Sequence, residues 1–543
     1  MSWIRPLAPE VEDGAEALGG KAHGLIVLRR LGLPVPPGFV IGTGACRAFL
    51  RTGRLPDGLA AELSTAVADL EAATGRAFGG PGRPLTVSVR SGAGTSMPGM
   101  MSTVLNLGLT AGATAALAEE TGDPRFAREA RLRFLLGYAA EVAGVPPQAL
   151  TGARATADRD ADEDRLGGAV EDVERLVHER SGSPVPKDPV RQLLLAVAAV
   201  FASWHTPRAR TYRELHGIAD DLGTAVTVQA MVYGNRDRRS GSGVAFSRDP
   251  TTGAPGPFGE VLFGSQGDEV VSGRSRTADL SALAEREPAV WTPLREALHR
   301  LETHHRDACH VEFTFETGRL WLLQARPGGF VGRAAVRVAV DLAEAGLIGR
   351  DEAVLRVSPH HLRQARTPRL AAPGGPDLLT RGLGASPGVA VGRVATTADA
   401  AVRLAAMGPV VLVRPETSPL DLHGLAAATG VVTARGGPTS HAAVVARSLG
   451  RPAVVGAADL TVDAAGARIG SREVPEGTLV TIDGTGGEVV SGRARLAPTA
   501  PDPRTVRLLD WADALTGDPA PGREDAERLA AARAVLLGRR PRT

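Results

Sequence analysis

TARGGPTSHAAVVARSLGRPAVVG, residues Thr433 to Gly456, decides how this chain is read. Val431 to Thr433 begin it as a short apolar strand, and Gly436-Gly437-Pro438 break that strand. Thr439 and Ser440 follow, and either side chain is able to cap a helix. The run HAAVVARSL then has the Ala and Leu content of a helix. Gly450 suits a left-handed helix end, and Pro452 prevents continuation. The unit is strand, glycine turn, helix, with His441 in the first helical turn. Free N–H groups and the positive helix end there welcome a phosphate. A histidine that is neutral near pH 7 is a competent nucleophile. The plainer alternative is a capped helix with a polar surface histidine. Arg435 and Arg447 are within reach as phosphate clamps.

At 543 residues the chain is too long for one core, and about three or four domains are expected. The N-terminus has no charged-then-apolar leader and no long uncharged apolar run occurs, so a cytoplasmic location without membrane partners is expected. Cys46 and Cys309 provide neither a disulfide framework nor a zinc spacing. A net charge of +2 exerts no general pull on nucleic acid. Positive charge is nearly all arginine, with lysine only at Lys21 and Lys187. A compact ammonium at Lys21 suits a point contact with phosphate.

Outward from the centre, LGGKAHGL (Leu18 to Leu25) places two glycines before Lys21, so backbone approaches a ligand closely. LTVSVRSGAGTSMPGMMSTVLNLG (Leu85 to Gly108) reads as a strand, Leu85 to Val89, ending at Arg90 and feeding a glycine-rich loop, a common phosphate holder. Residues 110–220 repeat apolar positions at helical steps, and Arg208, Arg210 and Arg213 there fit a solvated face better than phosphate. Residues 225–277 return to strands: AVTVQAMVYGN, SGSGVAFSRDPTTG and a strand-loop-strand over GEVLFGSQGDEVVSG. CHVEFTFETGRLWLLQAR (Cys309 to Arg326) is a hairpin with its turn at Glu316 to Arg319. Glu312 and Gln324 face each other across it, as oxygen ligands for magnesium would. Residues 327–378 contain helices and a Pro/Gly-rich hinge, residues 379–497 a β-rich α/β pattern, and 498–543 a Pro/Arg/Ala-rich tail. His360 and His361 lack the further ligand spacing of a metal site.

TARGG-TSHAAVVAR closely resembles the phosphohistidine motif of the pyruvate phosphate dikinase family, in its Thr-Ser-His form. LGGKAHGL with GLPVPPGF resembles the family's first ATP-binding segment, His23 departing from its pattern. SGAGTSMPGMMST resembles the loop over the terminal phosphates, with Ser102 replacing an acid. In the hairpin, Glu312, Gln324 and Arg326 match, while His310 stands where the family has aspartate. A neutral imidazole is a poor magnesium ligand.

The resemblance implies an α/β (α+β) fold. An ATP-grasp nucleotide-binding domain occupies residues 1–330 with a helical insertion at 110–220, and a helical linker covers 331–378. A swivelling phosphohistidine domain follows at 379–497, hinged near 370–380 and 498–510, then a tail at 498–543. It implies ATP and inorganic phosphate as substrates, with Mg2+. Lys21, Arg90 and Arg326 would neutralise phosphate oxygens, Glu312 and Gln324 would hold the metal, and His441 would carry the phosphoryl group. LVRPETSP, with Arg414 and Glu416, would line the surface beside the histidine. The pyruvate-binding barrel of the family has no match before Thr543, so a half-enzyme serving a separate pyruvate- or phosphoenolpyruvate-binding chain is expected, with a second copy of the chain in a homodimer as a further expected partner. The competing expectation is a catalytically impaired nucleotide-binding or regulatory protein, favoured by His310 and Ser102.

Overall fold

AVTVQA, Ala225–Ala230, places three β-branched residues, Val226, Thr227 and Val228, in a row and forms the middle strand of an antiparallel sheet in the computed structural model. The structure describes residues 2–539 except 81, 96, 98–99, 158–160, 268, 270–276, 372–373, 376, 464–465, 500–501 and 518–521. These fall into two units. One comprises residues up to Arg236 together with Trp321–Ala325, and the other comprises Asp237–Leu320 and everything from Arg326 onward.

In the first unit the strands run in the order Ile4–Pro6, Gly38–Ile41, Ala225–Ala230, Val87–Gly92, Thr103–Leu107. The expected strand at Leu85 to Val89 is displaced. Arg90 lies inside Val87–Gly92, because Ser91 and Gly92 still pair with Val226 and Ala225. Helices Ala111–Thr121, Pro124–Glu141, Thr151–Ala157, Glu163–Ser181, Pro189–Ala202 and Pro207–His216 fill the 110–220 region. Asp123, Asp162 and Asp188 cap three of them through side-chain oxygens, as polar residues before a helical run should. Phe126, Leu135, Val173 and Val197 on these helices share one core with Val87, Val89 and Val228 of the sheet. Arg213 is a scaffold residue, not a solvated one. It is 1 % exposed, stacks 4.3 Å from the Trp204 ring centre and donates to Trp204 O at 2.6 Å.

In the second unit the strands run Ala278–Asp279, Pro255–Phe263, Gly241–Arg248, Cys309–Glu316, and the chain then enters strand Arg319–Pro327, whose middle residues Trp321–Ala325 belong to the first unit. The hairpin turns at Thr317 and Gly318, both at positive φ. Of the strand-loop-strand expected over 259–273, the first strand lies within Pro255–Phe263, and 268 and 270–273 lie outside the described residues. Helices Gly332–Glu344, Arg350–Arg356 and Pro359–Ala365 follow. His361 is a capping residue: its Nδ1 faces the Ser358 amide at 3.3 Å, and its own amide donates to Ser358 Oγ.

The C-terminal stretch is not a tail. Pro503–Thr516 and Asp525–Arg539 are helices whose Leu508, Leu509, Trp511, Leu529 and Leu536 share a core with Val336, Val340 and Val354. Asp341 accepts from Arg504 at 2.6 Å and from Arg248 at 3.3 Å, and Arg248 also pairs with Glu302 at 2.7 Å. The apolar spacing in LLDWADAL, masked in composition by Pro, Arg and Ala nearby, is the signal for this packing.

The histidine-bearing sheet has eight strands in the order Leu378–Arg381, Glu488–Ser491, Leu479–Asp483, Val389–Ala395, Val410–Arg414, Gly430–Thr433, Ala453–Val455, Leu383–Ser386. Its four central strands, from Val389 to Val455, make three pairings, all parallel, joined by crossover segments containing helices Ala398–Ala405, Leu422–Ala427 and His441–Leu449. The chain enters and leaves this domain side by side, since Arg369–Leu370 pairs antiparallel with Leu496–Ala497. Among the described residues no helix is long and apolar enough to cross a membrane.

Candidate active site

In the first unit Lys21 and Arg90, two of the expected phosphate residues, both lie near Gly92. Gly19 breaks the helix Ala15–Arg30 with φ 75° and ψ 151°, and Gly20 N donates to Ala93 O at 3.0 Å. The backbone thereby lies on Gly92. A Cβ on Gly19 would fall 1.7 Å from Gly92 O, and one on Gly92 would fall 3.3 Å from Lys21 Cβ. Arg90 is one strand position pair away from Gly92. Its Nη2 donates to Gln229 Oε1 at 2.7 Å and reaches Leu323 O at 3.5 Å, beside Gln324. Gln229 is itself fixed by donating to Pro36 O at 3.1 Å. Ser102, buried, gives its amide to Ser203 Oγ at 3.2 Å.

In the second unit, strand Cys309–Glu316 carries His310 and Glu312. Burial pushes the His310 imidazole down to about 4, the nearby Arg326 and Arg447 charges add to this, and Glu312 opposes it. His310 is therefore a neutral ring at pH 7, 5.3 Å from the Phe246 ring centre. Among the described residues no group of three or more His, Cys, Asp or Glu side chains is placed to hold a metal ion. Magnesium bound mainly through nucleotide phosphates needs only one or two protein oxygens, and the carboxylate of Glu312 and the amide oxygen of Gln324 are donors of that kind.

His441 is the first residue of the helix His441–Leu449, which ends at Gly450 with φ 64°. Thr417 Oγ1 lies 3.0 Å from His441 Nδ1. Among the described residues nothing hydrogen-bonds His441 Nε2. Burial lowers the basicity of the ring, and Asp421 acts against that shift. Asp421 is held by the Ser418 amide at 2.8 Å and by Arg414 at 3.4 Å. Ser440 is the helix N-cap, but its side chain makes no capping hydrogen bond, and Thr439 gives its hydroxyl to Glu260 instead.

The arginines beside the motif differ from the clamps expected of them. Arg447 is enclosed, donates to Ala385 O at 2.8 Å and Pro438 O at 2.7 Å, and is lowered to about 10 by burial. It holds the loop backbone. Arg435 pairs with Glu416 at 3.1 Å. Thr417, Asp421 and Glu260 were not among the residues singled out from sequence. Thr417 sits within LVRPETSP, where the neighbouring charges Arg414 and Glu416 draw attention away from a hydroxyl.

Comparison with known families places two domains on this framework. Residues 50–291 match the family described as pyruvate phosphate dikinase, AMP/ATP-binding domain, and residues 406–487 match PEP-utilising enzyme, mobile domain. Arg90 lies in the first match and His441 in the second; Lys21 precedes both, and Glu312, Gln324 and Arg326 fall between them. The class is thus a nucleotide-binding domain followed by a mobile domain of the PEP-utilising enzymes.

Within that class the chain belongs to the pyruvate phosphate dikinase family. It is 41 % identical over 540 residues to pyruvate, phosphate dikinase of Rhizobium meliloti (strain 1021), covering 94 % of this chain and 60 % of that protein. Identity is 42 % to pyruvate, phosphate dikinase 2 of Zea mays, over 92 % of this chain and 58 % of the relative. It is 40 % to the chloroplastic pyruvate, phosphate dikinase 1 of Arabidopsis thaliana, over 92 % and 53 %. The chain spans three-fifths or less of the length of these relatives.

Proposed function

We propose that this chain phosphorylates its own His441 from ATP and passes the group to an acceptor. The observation that carries the reading is the His441 ring, with Nδ1 engaged by Thr417 and Nε2 left without a hydrogen bond among the described residues. A hydroxyl that accepts from Nδ1–H leaves the lone pair on Nε2, the atom that attacks. Attack on the β-phosphorus of ATP forms the N–P bond, breaks the bond between the β-phosphorus and the oxygen bridging it to the α-phosphorus, and releases AMP, which keeps that oxygen. Inorganic phosphate then takes the γ-phosphoryl group, giving pyrophosphate and leaving one phosphoryl group on Nε2.

Phosphoryl transfer depends on positioning and charge neutralisation. Lys21, Arg90 and Arg326 supply positive charge to the phosphates, and Glu312 and Gln324 would hold Mg2+. The metal, when bound, neutralises phosphate oxygens. The acceptor of the dikinase-type reaction is pyruvate, held by a further domain or by a separate chain. ATP labelled at the β-phosphate tests the proposal. Acid-labile label that requires His441 and is absent from His441→Ala supports it; equal labelling of both chains overturns it.

His310 favours a second reading, an impaired nucleotide-binding or regulatory protein, because a neutral ring flanked by Arg326 and Arg447 replaces an acid near the metal position. ATP binding by calorimetry with no AMP formed, in the presence of Mg2+ and phosphate, distinguishes that reading from the first.

A further inference from the structure

Glu260 lies on strand Pro255–Phe263, opposite Val244, and is 7 % exposed. Its Oε2 accepts from Thr439 Oγ1 at 2.7 Å, and its Oε1 accepts from Thr277 Oγ1 at 2.8 Å. Thr439 belongs to the loop that delivers His441, 179 residues away in sequence from Glu260. Gly437 of the same loop lies against the same carboxylate: a Cβ there would fall 1.6 Å from Glu260 Oε1. Gly437 is not among the residues with positive φ, so its backbone accepts alanine and only the contact forbids it. A hydroxyl donor and a bare Cα are thus both fitted to one buried carboxylate.

We infer that Glu260 is a positioning residue that docks the His441 loop on the nucleotide-binding sheet while the imidazole is unmodified, and that a phosphoryl group on His441 weakens this hold. The second clause rests on the proposed function. Thr439 and His441 are two residues apart, at most about 7 Å between Cα atoms. A phosphoryl group brings close to two negative charges within the screening length of a buried carboxylate. Like charges at that range repel, so the neutral ring favours docking and the phosphorylated ring favours release.

Hydrogen exchange of the loop peptide spanning residues 434–445, in the full chain and without nucleotide, tests docking by itself. Glu260→Ala and Thr439→Val are each expected to speed loop exchange about tenfold, corresponding to loss of one charge-assisted hydrogen bond. Gly437→Ala is expected to do the same, and adding Glu260→Ala to it should bring no further increase, since the two changes break one contact. Unchanged exchange in Thr439→Val, or additive effects in the Gly437→Ala, Glu260→Ala pair, overturns the inference. Thr439→Val alters only a loop side chain and keeps the test valid if Glu260→Ala unfolds the sheet. With label on His441, loop exchange should rise in the parent chain and rise less in Glu260→Gln; an equal rise overturns the release step. If His441 takes no label, the proposed function fails while the nucleotide-free comparison still judges the docking.

Discussion

Thr417 Oγ1 and His441 Nδ1 lie 3.0 Å apart, with Thr417 buried on the loop that follows strand Val410–Arg414 and His441 opening the next helix but one. A hydroxyl at this place holds the ring in one orientation. Thr417→Val keeps the shape and removes the hydrogen bond. The rate of His441 labelling should fall about tenfold, the effect of roughly 1.4 kcal/mol in orientation. Thr417→Ser should recover most of it. Thermal unfolding should change little, because one hydrogen bond to a partly accessible ring contributes about 1 kcal/mol.

The pH dependence of labelling follows from the same ring. Burial lowers the His441 pKa below its ordinary 6.5. The neutral form attacks, so activity is present above the shifted pKa and lost as pH falls through it. The acid limb of single-turnover labelling should therefore lie below pH 6.5. Asp421 raises the value, and Asp421→Asn should move that limb further down. An NMR titration of His441 measures the same displacement without turnover.

His310 predicts a stability effect. Its folded pKa is near 4 and its unfolded value 6.5. Between these values the unfolded chain binds a proton that the folded ring refuses. Stability is therefore retained above 6.5 and declines as pH falls from 6.5 towards 4, by up to about 1.4 kcal/mol per pH unit. Urea midpoints at pH 7 and pH 5 should differ less in His310→Asn than in the parent chain.

Much of this was legible in the letters. The strand, glycine turn and helix around His441 are local, and Gly436, Pro438 and Gly450 mark their limits. The hairpin over Cys309 to Pro327 is equally local, since two residues of turn sit between alternating runs. What the letters do not carry is contact across long separations. Glu260 reads as one acid in a strand until Thr439 meets it, and Thr417 reads as loop until His441 turns towards it. Arg447 shows the converse: a cation six residues beyond the histidine invites a clamp, yet burial commits it to two carbonyls. The helices after Pro503 were hidden because Pro, Arg and Ala dominate their composition while a few spaced Leu and Trp do the packing.

Gly19 offers a test of how Lys21 is delivered. Its φ of 75° with ψ of 151° is a conformation that side chains rarely adopt, and its Cα lies against Gly92 O. Gly19→Ala meets both obstacles at once: the backbone is strained by about 1–3 kcal/mol, and a Cβ 1.7 Å from a carbonyl forces the two segments apart. Gly14→Ala, at a helix N-cap with open space around it, introduces the same methyl group without that contact. If the glycine seats Lys21 beside Arg90, Gly19→Ala should lose the rise in melting temperature that ATP gives the parent chain, and Gly14→Ala should keep it. A nucleotide-dependent rise of the same size in both variants would show that the close approach at Gly92 serves the helix alone and leaves phosphate binding to other residues.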